Sequence, residues 1–261
     1  MACLDCGGGL PLMHPAQTLP IGEVRAAAGF SANVAAAGFS SALLGAQNDA
    51  SQNAPAGSVA PADTTFTKGA LVEAAVGPGL APYASGRVGI GDHFEGGITY
   101  TGRAIRIDLR RSFPLTEHWA LSVGAGGSAV LYGHADGSEL PYVDLGQLHG
   151  WGADVPVLVG YESDDGLYMA WAGARGGAEH VDISEVTSEP GSGTLGTAPP
   201  GLSATRLWGG GVLGLAVGFR HLHVALELDA SYASISGQYN GVQATVSGLT
   251  VAPGATLWWR F

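Results

Sequence analysis

Arg106, Asp108 and Arg110 occupy every second position of one segment, and Glu227 and Asp229 stand two apart in another. In a β-strand that spacing puts charged groups on one face. Charges of both signs on a shared face can form an ion-pair network or a polar lining for a solute path. Histidine offers other chemistry. His221 and His223 are two apart and could share a metal, but no third ligand accompanies them. His134, Asp136, Asp144, His149, His180 and Asp182 combine imidazole with carboxylate, the residue types of general-base hydrolysis. Neither Gly-x-Ser-x-Gly nor His-Glu-x-x-His occurs, and the glycine runs 7–9 and 209–211 lack phosphate-loop spacing. The sequence therefore predicts no enzyme, no metal and no cofactor, with a hydrolase as the weaker alternative.

The elements that carry these residues repeat with period two, the signature of strands. In the segment from Leu222 to Tyr232, Leu222, Val224, Leu226 and Leu228 share a face, while His223, Glu227 and Asp229 share the other. Ile105, Ile107 and Leu109 lie opposite Arg106, Asp108 and Arg110. The runs after Trp119, Trp151 and Leu213 alternate in the same way, as does the last one, through Leu249, Leu257, Trp259 and Phe261. A soluble sandwich also alternates, but its wet face favours Lys, Glu and Thr. Here the second face carries Gly, Ser, Arg and Asp, and the chain has one lysine, Lys68. That distribution suits apolar faces toward lipid and a polar lumen.

Composition agrees. The chain has 261 residues, 43 of them Gly, and only 13% are charged. A soluble domain carries about 25% charged residues. No apolar run is long enough for a membrane helix. The net charge of −11 argues against nucleic acid as a partner.

The predicted fold is all-β: a closed antiparallel transmembrane up-and-down barrel of about ten strands, with eight as the alternative. Short turns belong on the periplasmic side and longer loops outside. Strands are expected at about 22–33, 81–91, 117–133, 150–162, 166–184, 203–219, 222–238 and 244–261. The stretch from Glu95 to Phe113 switches its apolar face at Thr101-Gly102, by a bulge or by a hairpin. A hairpin gives ten strands and both termini in the periplasm. Residues 1–20 are expected as a periplasmic segment and 21–261 as one barrel domain. Within it, 36–80 form a long external loop with short helices near Phe39–Gln47 and Gly69–Val76, able to cover or partly plug the mouth.

The residues Ala255, Leu257, Trp259 and Phe261 resemble the C-terminal signal of bacterial outer-membrane proteins. That resemblance implies the outer membrane as location, its lipid and lipopolysaccharide as surroundings, and the barrel-assembly machinery as a partner through Leu257, Trp259 and Phe261. Met1-Ala2-Cys3 is similar to the tail of a lipoprotein signal, making Cys3 a lipidation candidate; a Cys3–Cys6 disulfide is the alternative. The Gly-rich, acidic style resembles small barrels of myxobacteria. In placing acids and His at the rim, the chain is similar to ten-stranded outer-membrane proteases, without a matching motif.

The lumen is expected to collect Arg25, Arg87, Glu95, Arg106, Asp108, Arg110, Asp154, Glu162, Arg206, His223, Glu227 and Asp229. The expected function is structural, or a narrow passive channel for small solutes, in a monomer. The alternative is a surface-binding barrel acting through loops 36–80, 134–149 and 185–202.

Overall fold

The computed structural model describes residues 11–53, 63–131, 140, 143, 145–183 and 201–261. Ten strands form a closed antiparallel barrel in which each strand pairs with its chain neighbours and β1 closes on β10. The strands are β1 (Val24–Ala36), β2 (Gly79–Gly91), β3 (Phe94–Tyr100), β4 (Ala104–Pro114), β5 (Trp119–Val130), β6 (Leu148–Glu162), β7 (Tyr168–Ile183), β8 (Leu202–Phe219), β9 (Leu222–Tyr239) and β10 (Val242–Arg260). Closure leaves no open strand edge, so the ladder runs round the whole wall and satisfies its backbone internally, as a lipid-embedded sheet requires, apart from short breaks such as the one at Gly89–Gly91.

The stretch from Glu95 to Phe113 is a hairpin. Ile98 pairs with Ile107 and Tyr100 with Ile105, across a turn in which Gly102 takes φ 85° and Thr101 N–H donates to the Ala104 carbonyl at 3.0 Å. Asp92-His93 and Asn240-Gly241 make tight two-residue turns with positive φ at both positions, the backbone that suits the twist of a hairpin.

Outward-facing side chains form an apolar band. On β9, Leu222, Val224, Leu226, Leu228 and Tyr232 are each at least 41% exposed. Eleven residues from Leu222 to Tyr232, on a tilted strand, span about 25 Å, the height of such a band in a membrane barrel. Beyond Tyr232 the pattern inverts without a bulge. Ser234, Ser236 and Gln238 face out, while Ala233, Ile235 and Tyr239 are buried within. The same inversion occurs on β8, where Ser203 and Thr205 face out and Leu202 and Ala204 face in, and on β10, with Gln243 and Thr245 out and Ala244 and Val246 in. Strands β7–β10 are thus longer than a span needs, and their surplus has the polarity of a barrel in water.

A helix explains the surplus. Between β1 and β2 lie α1 (Gly38–Asn53) and α2 (Thr64–Val76). Asp63 caps α2 by accepting from Thr65 N–H at 2.7 Å and Phe66 N–H at 2.8 Å, and Gly77 ends it in the left-handed conformation. Helix α2 is apolar nearly all round and buried from Phe66 to Val76 except at Lys68, packing on β7–β10. It shares one core with the inward apolar ends of those strands, including a Phe66–Tyr239 ring contact at 5.4 Å. Residues 64–76 therefore lie inside the barrel mouth, the plugging arrangement of the two that the 36–80 segment allowed.

Residues 11–20, set apart from the barrel in the sequence reading, also lie inside it. Leu12, Met13 and Ala16 are buried in a second core with Tyr83, Leu158, Trp171 and Trp258, toward the short-turn end.

The inversion yields a prediction. Leu226→Arg places a charge mid-band and is expected to cost about 2–4 kcal/mol of stability in lipid. Gln238→Arg, beyond the band, is expected to change stability by no more than about 0.5 kcal/mol. Denaturant unfolding in lipid vesicles, followed by tryptophan fluorescence, measures both.

Candidate functional site

Between the two apolar cores lies a layer of charge. Glu95 is its first hub. Its carboxylate accepts from Arg25 at 3.3 Å, from Arg110 at 2.8 Å, from Arg87, and from the Leu19 backbone N–H at 2.9 Å. Arg87 continues to Asp108 at 2.5 Å, and Asp108 meets Arg106 at 2.6 Å. Arg106 binds Asp154 through two bonds of 2.8 and 3.0 Å, and Asp154 accepts from Arg175 at 2.9 Å. Arg175 lies 3.9 Å from Asp229. The result is a chain of alternating sign round the wall. Bidentate arginine–carboxylate pairs hold direction as well as charge, so the chain fixes neighbouring strands in register.

A second group holds the C-terminal end of α2. Arg103 donates to the Ala74 carbonyl at 3.1 Å, Arg206 to Ala75 at 3.4 Å and Asn33 to Val76 at 2.6 Å. These carbonyls are the open acceptors at a helix end, where the dipole favours cations. Glu179 balances the pair, 3.1 Å from Arg103 and 3.9 Å from Arg206.

A third group holds the N-terminal segment. Glu227 accepts from Leu12 N–H at 2.5 Å, Met13 N–H at 2.9 Å and the Trp171 ring N–H at 2.8 Å. Tyr83 donates its hydroxyl to the Leu12 carbonyl at 3.1 Å, and Arg110 donates to the Pro15 and Gln17 carbonyls. Gln17 in turn donates to the carbonyls of His118 at 3.0 Å and Gly160 at 3.1 Å. Next to them, His14 is buried, and its pKa lies well below the ordinary value. Burial is the main cause, and the positive charges of Arg110, Arg87, Arg25 and Arg106 add to it.

Eleven of the twelve residues expected in the lumen are buried there; Glu162 instead stands at the short-turn mouth, a quarter exposed, 3.4 Å from Arg260. His223 is near that mouth too, with its Nε2 2.9 Å from the Gly166 carbonyl. His221 stacks on Trp259 outside, so the two histidines do not converge, and no metal-binding cluster occurs among the described residues. Arg103, Arg175 and Glu179 were missed. The signal for two of them was parity: Trp171, Arg175 and Glu179 share a face of β7. Arg103 escaped because it belongs to the hairpin turn.

Glycines recur along the inner face of the wall. They leave room for side chains. A methyl group at Gly97 would collide with the Arg87 guanidinium, one at Gly126 with Arg106, and one at Gly214 with the Trp171 ring. Among the described residues, one cavity of about 40 Å³ is lined by Arg103, Arg175, Glu179, Arg206, Trp208 and Asp229. It holds a few waters at most.

At the long-loop end, His180 and Asp182 of the rim set face outward, 2.8 Å apart, and His180 Nδ1 lies 2.9 Å from Thr205 Oγ1. His149 stands across the β6–β7 ladder from Asp182. His134, Asp136 and Asp144, like Cys3, lie outside the described residues.

Three substitutions test this geometry. Glu95→Gln leaves three buried arginines short of their counter-ion and is expected to cost about 3–5 kcal/mol. Arg260→Ala, at the wet mouth, is expected to cost less than about 1 kcal/mol. Urea unfolding in micelles reads both. His14 is held neutral in the fold but takes a proton below about pH 6.5 in the unfolded chain, so it withdraws stability as the pH falls through that value. His14→Gln is expected to reduce the loss in urea midpoint between roughly pH 7.5 and pH 5.

No family model and no curated protein matches this sequence. Solved structures similar to it include the outer membrane protease OmpT from Escherichia coli, at 9% identity and a TM-score of 0.43, covering 94% of this chain and 100% of that one. Neisserial surface protein A is 12% identical with a TM-score of 0.33, covering 92% and 96%. Outer membrane protein AlkL is 9% identical with a TM-score of 0.37, covering 95% of each chain. None reaches a TM-score of 0.5, and no residue role passes from them to this chain. The register of its own ten strands makes it a closed β-barrel with a membrane barrel's surface.

Proposed function

We propose that this chain is a bacterial outer-membrane barrel that serves as a closed structural scaffold. Its short-turn end and both termini are periplasmic, and its long-loop end faces outside. One observation carries this reading: the lumen is filled from both ends by the chain itself, residues 11–20 from one side and α2 from the other. The charged layer between them is paired, so it has no need of a water column. A passive channel would require both segments to leave.

The outward row Leu257, Trp259 and Phe261, each at least 45% exposed, remains available for recognition by the assembly machinery and then for the lipid interface. Binding through the first external loop is weakened as an alternative, because residues 64–76 are buried; α1 keeps an exposed face, with Leu44 60% exposed.

In planar bilayers the full chain is expected to show no steady conductance. Deleting residues 11–20 alone leaves α2 in the other mouth, so conductance stays absent. Deleting both segments is expected to give discrete channel steps in a barrel that remains folded. Steady conductance from the full chain would overturn the scaffold reading.

A further inference from the structure

We propose that Thr205, His180 and Asp182 form an ester-cleaving site on the outer wall of the barrel, acting on the acyl esters of outer-leaflet lipid. The three residues sit on the outward faces of β7 and β8, in the surplus above the apolar band. Asp182 Oδ2 lies 2.8 Å from His180 Nε2, and Thr205 Oγ1 lies 2.9 Å from His180 Nδ1. An ionised carboxylate only accepts, so Nε2 carries the ring hydrogen. In the neutral ring Nδ1 then holds a lone pair, and the Thr205 hydroxyl donates to it. This is the relation of nucleophile, base and orienting acid required for acyl transfer, with the two ring nitrogens exchanged relative to the usual triad.

Three further observations separate this arrangement from an ordinary polar surface. His180 and Asp182 are each about one-third exposed, at 32% and 36%, and Thr205 is exposed, so a substrate can reach them. Thr205 lines an open groove of about 520 Å³ with Ser203, Ser236, Gln238, Gln243 and Thr245. The groove lining carries no charged side chain, which suits a neutral ester. Backbone N–H groups here are engaged in the ladder, so the oxyanion would be met by side chains, and Ser236 and Gln238 supply donors in the same groove.

The depth of the site selects the substrate class. Leu207, two residues below Thr205 on the same face, is 66% exposed within the apolar band. Trp151, an outward ring of the kind that marks a membrane interface, lies 6.2 Å from the His180 ring. Thr205 is thus at the boundary between acyl chains and headgroups, where lipid ester carbonyls lie. In the first step Thr205 Oγ1 bonds to the ester carbonyl carbon and its proton passes to His180 Nδ1. The C–O bond to the alcohol breaks, and the leaving oxygen takes that proton. Water then attacks the acyl-threonine, giving its proton to His180, and Thr205 Oγ1 recovers it as the carboxylic acid departs. Ester and water become acid and alcohol. Asp182 is a positioning residue: it fixes the ring hydrogen on Nε2 and stabilises the imidazolium.

The assignment of the leaflet rests on the orientation proposed above; the chemistry does not. The full chain, folded in micelles with both ends accessible, is treated with an alkynyl β-lactone and with a medium-chain p-nitrophenyl ester. The proposal expects acylation at Thr205 by peptide mapping and a hydrolysis rate lowered about 100-fold or more by Thr205→Ala or His180→Ala, the scale of general-base catalysis. Thr205→Ser is expected to retain activity, and Ser247→Ala, outside the groove, to match the native chain. Asp182→Asn should slow lactone labelling while leaving heat-modifiable migration intact, which a merely structural aspartate would not do. An unlabelled Thr205, or a folded Thr205→Ala chain hydrolysing at the native rate, overturns the site. Labelling in micelles, but not of intact cells by a membrane-impermeant lactone, supports the chemistry and overturns the outer-leaflet substrate.

Discussion

A carboxylate taken out of water loses several kcal/mol of solvation and recovers it only where cations and hydrogen bonds meet it in good geometry. Glu95, Asp108 and Asp154 lie inside a ten-stranded wall and are at most 6% exposed. Their answer is a chain of arginines shared between them, from Glu95 through Arg87, Asp108, Arg106 and Asp154 to Arg175. Each guanidinium needs room, and the inner glycines beside Arg87 and Arg106 provide it. Gly97 and Gly126 are therefore a packing requirement of the charged layer.

The outer surface obeys a different solvent at different heights. Across the apolar band, lipid outside demands Leu, Val and aromatic residues, and the polar side chains turn inward. Above the band, water outside reverses the demand, and the inward apolar ends of β7–β10 need something to cover them. Helix α2 does so, and its C-terminal carbonyls are met by Arg103, Arg206 and Asn33. At the other end, Glu227 holds two consecutive amides of the N-terminal segment. Fold and closure are thus linked. The charges that stabilise the wall also anchor the segments that fill it.

The sequence carried most of the wall because period two is a strong signal and lipid enforces it strictly. Turn length ordered the strands, and the face switch at Thr101-Gly102 located the short hairpin. The inversion on β9 was present in the order Tyr232, Ser234, Ser236, Gln238, but outward polarity looks the same as inward polarity when the solvent is unknown. Helix α2 showed only its apolar C-terminal part, expected at Gly69–Val76, and neither its start at Thr64 nor its destination, since an apolar helix can cover a mouth or enter it. The N-terminal segment was illegible for a related reason: its anchors are mostly backbone amides and carbonyls, which every sequence has. The Thr205–His180–Asp182 contact joins two strands, so only the His180–Asp182 half could be seen along the chain.

Two segments of the chain sit packed inside the barrel in the membrane. Hydrogen–deuterium exchange of the full chain in lipid bilayers tests this most directly. Amides from Phe66 to Val76, and those of Leu12 and Met13, are expected to be protected on the timescale of the strand ladder. Exchange of either set at the rate of a free peptide, with the strands still protected, would contradict it.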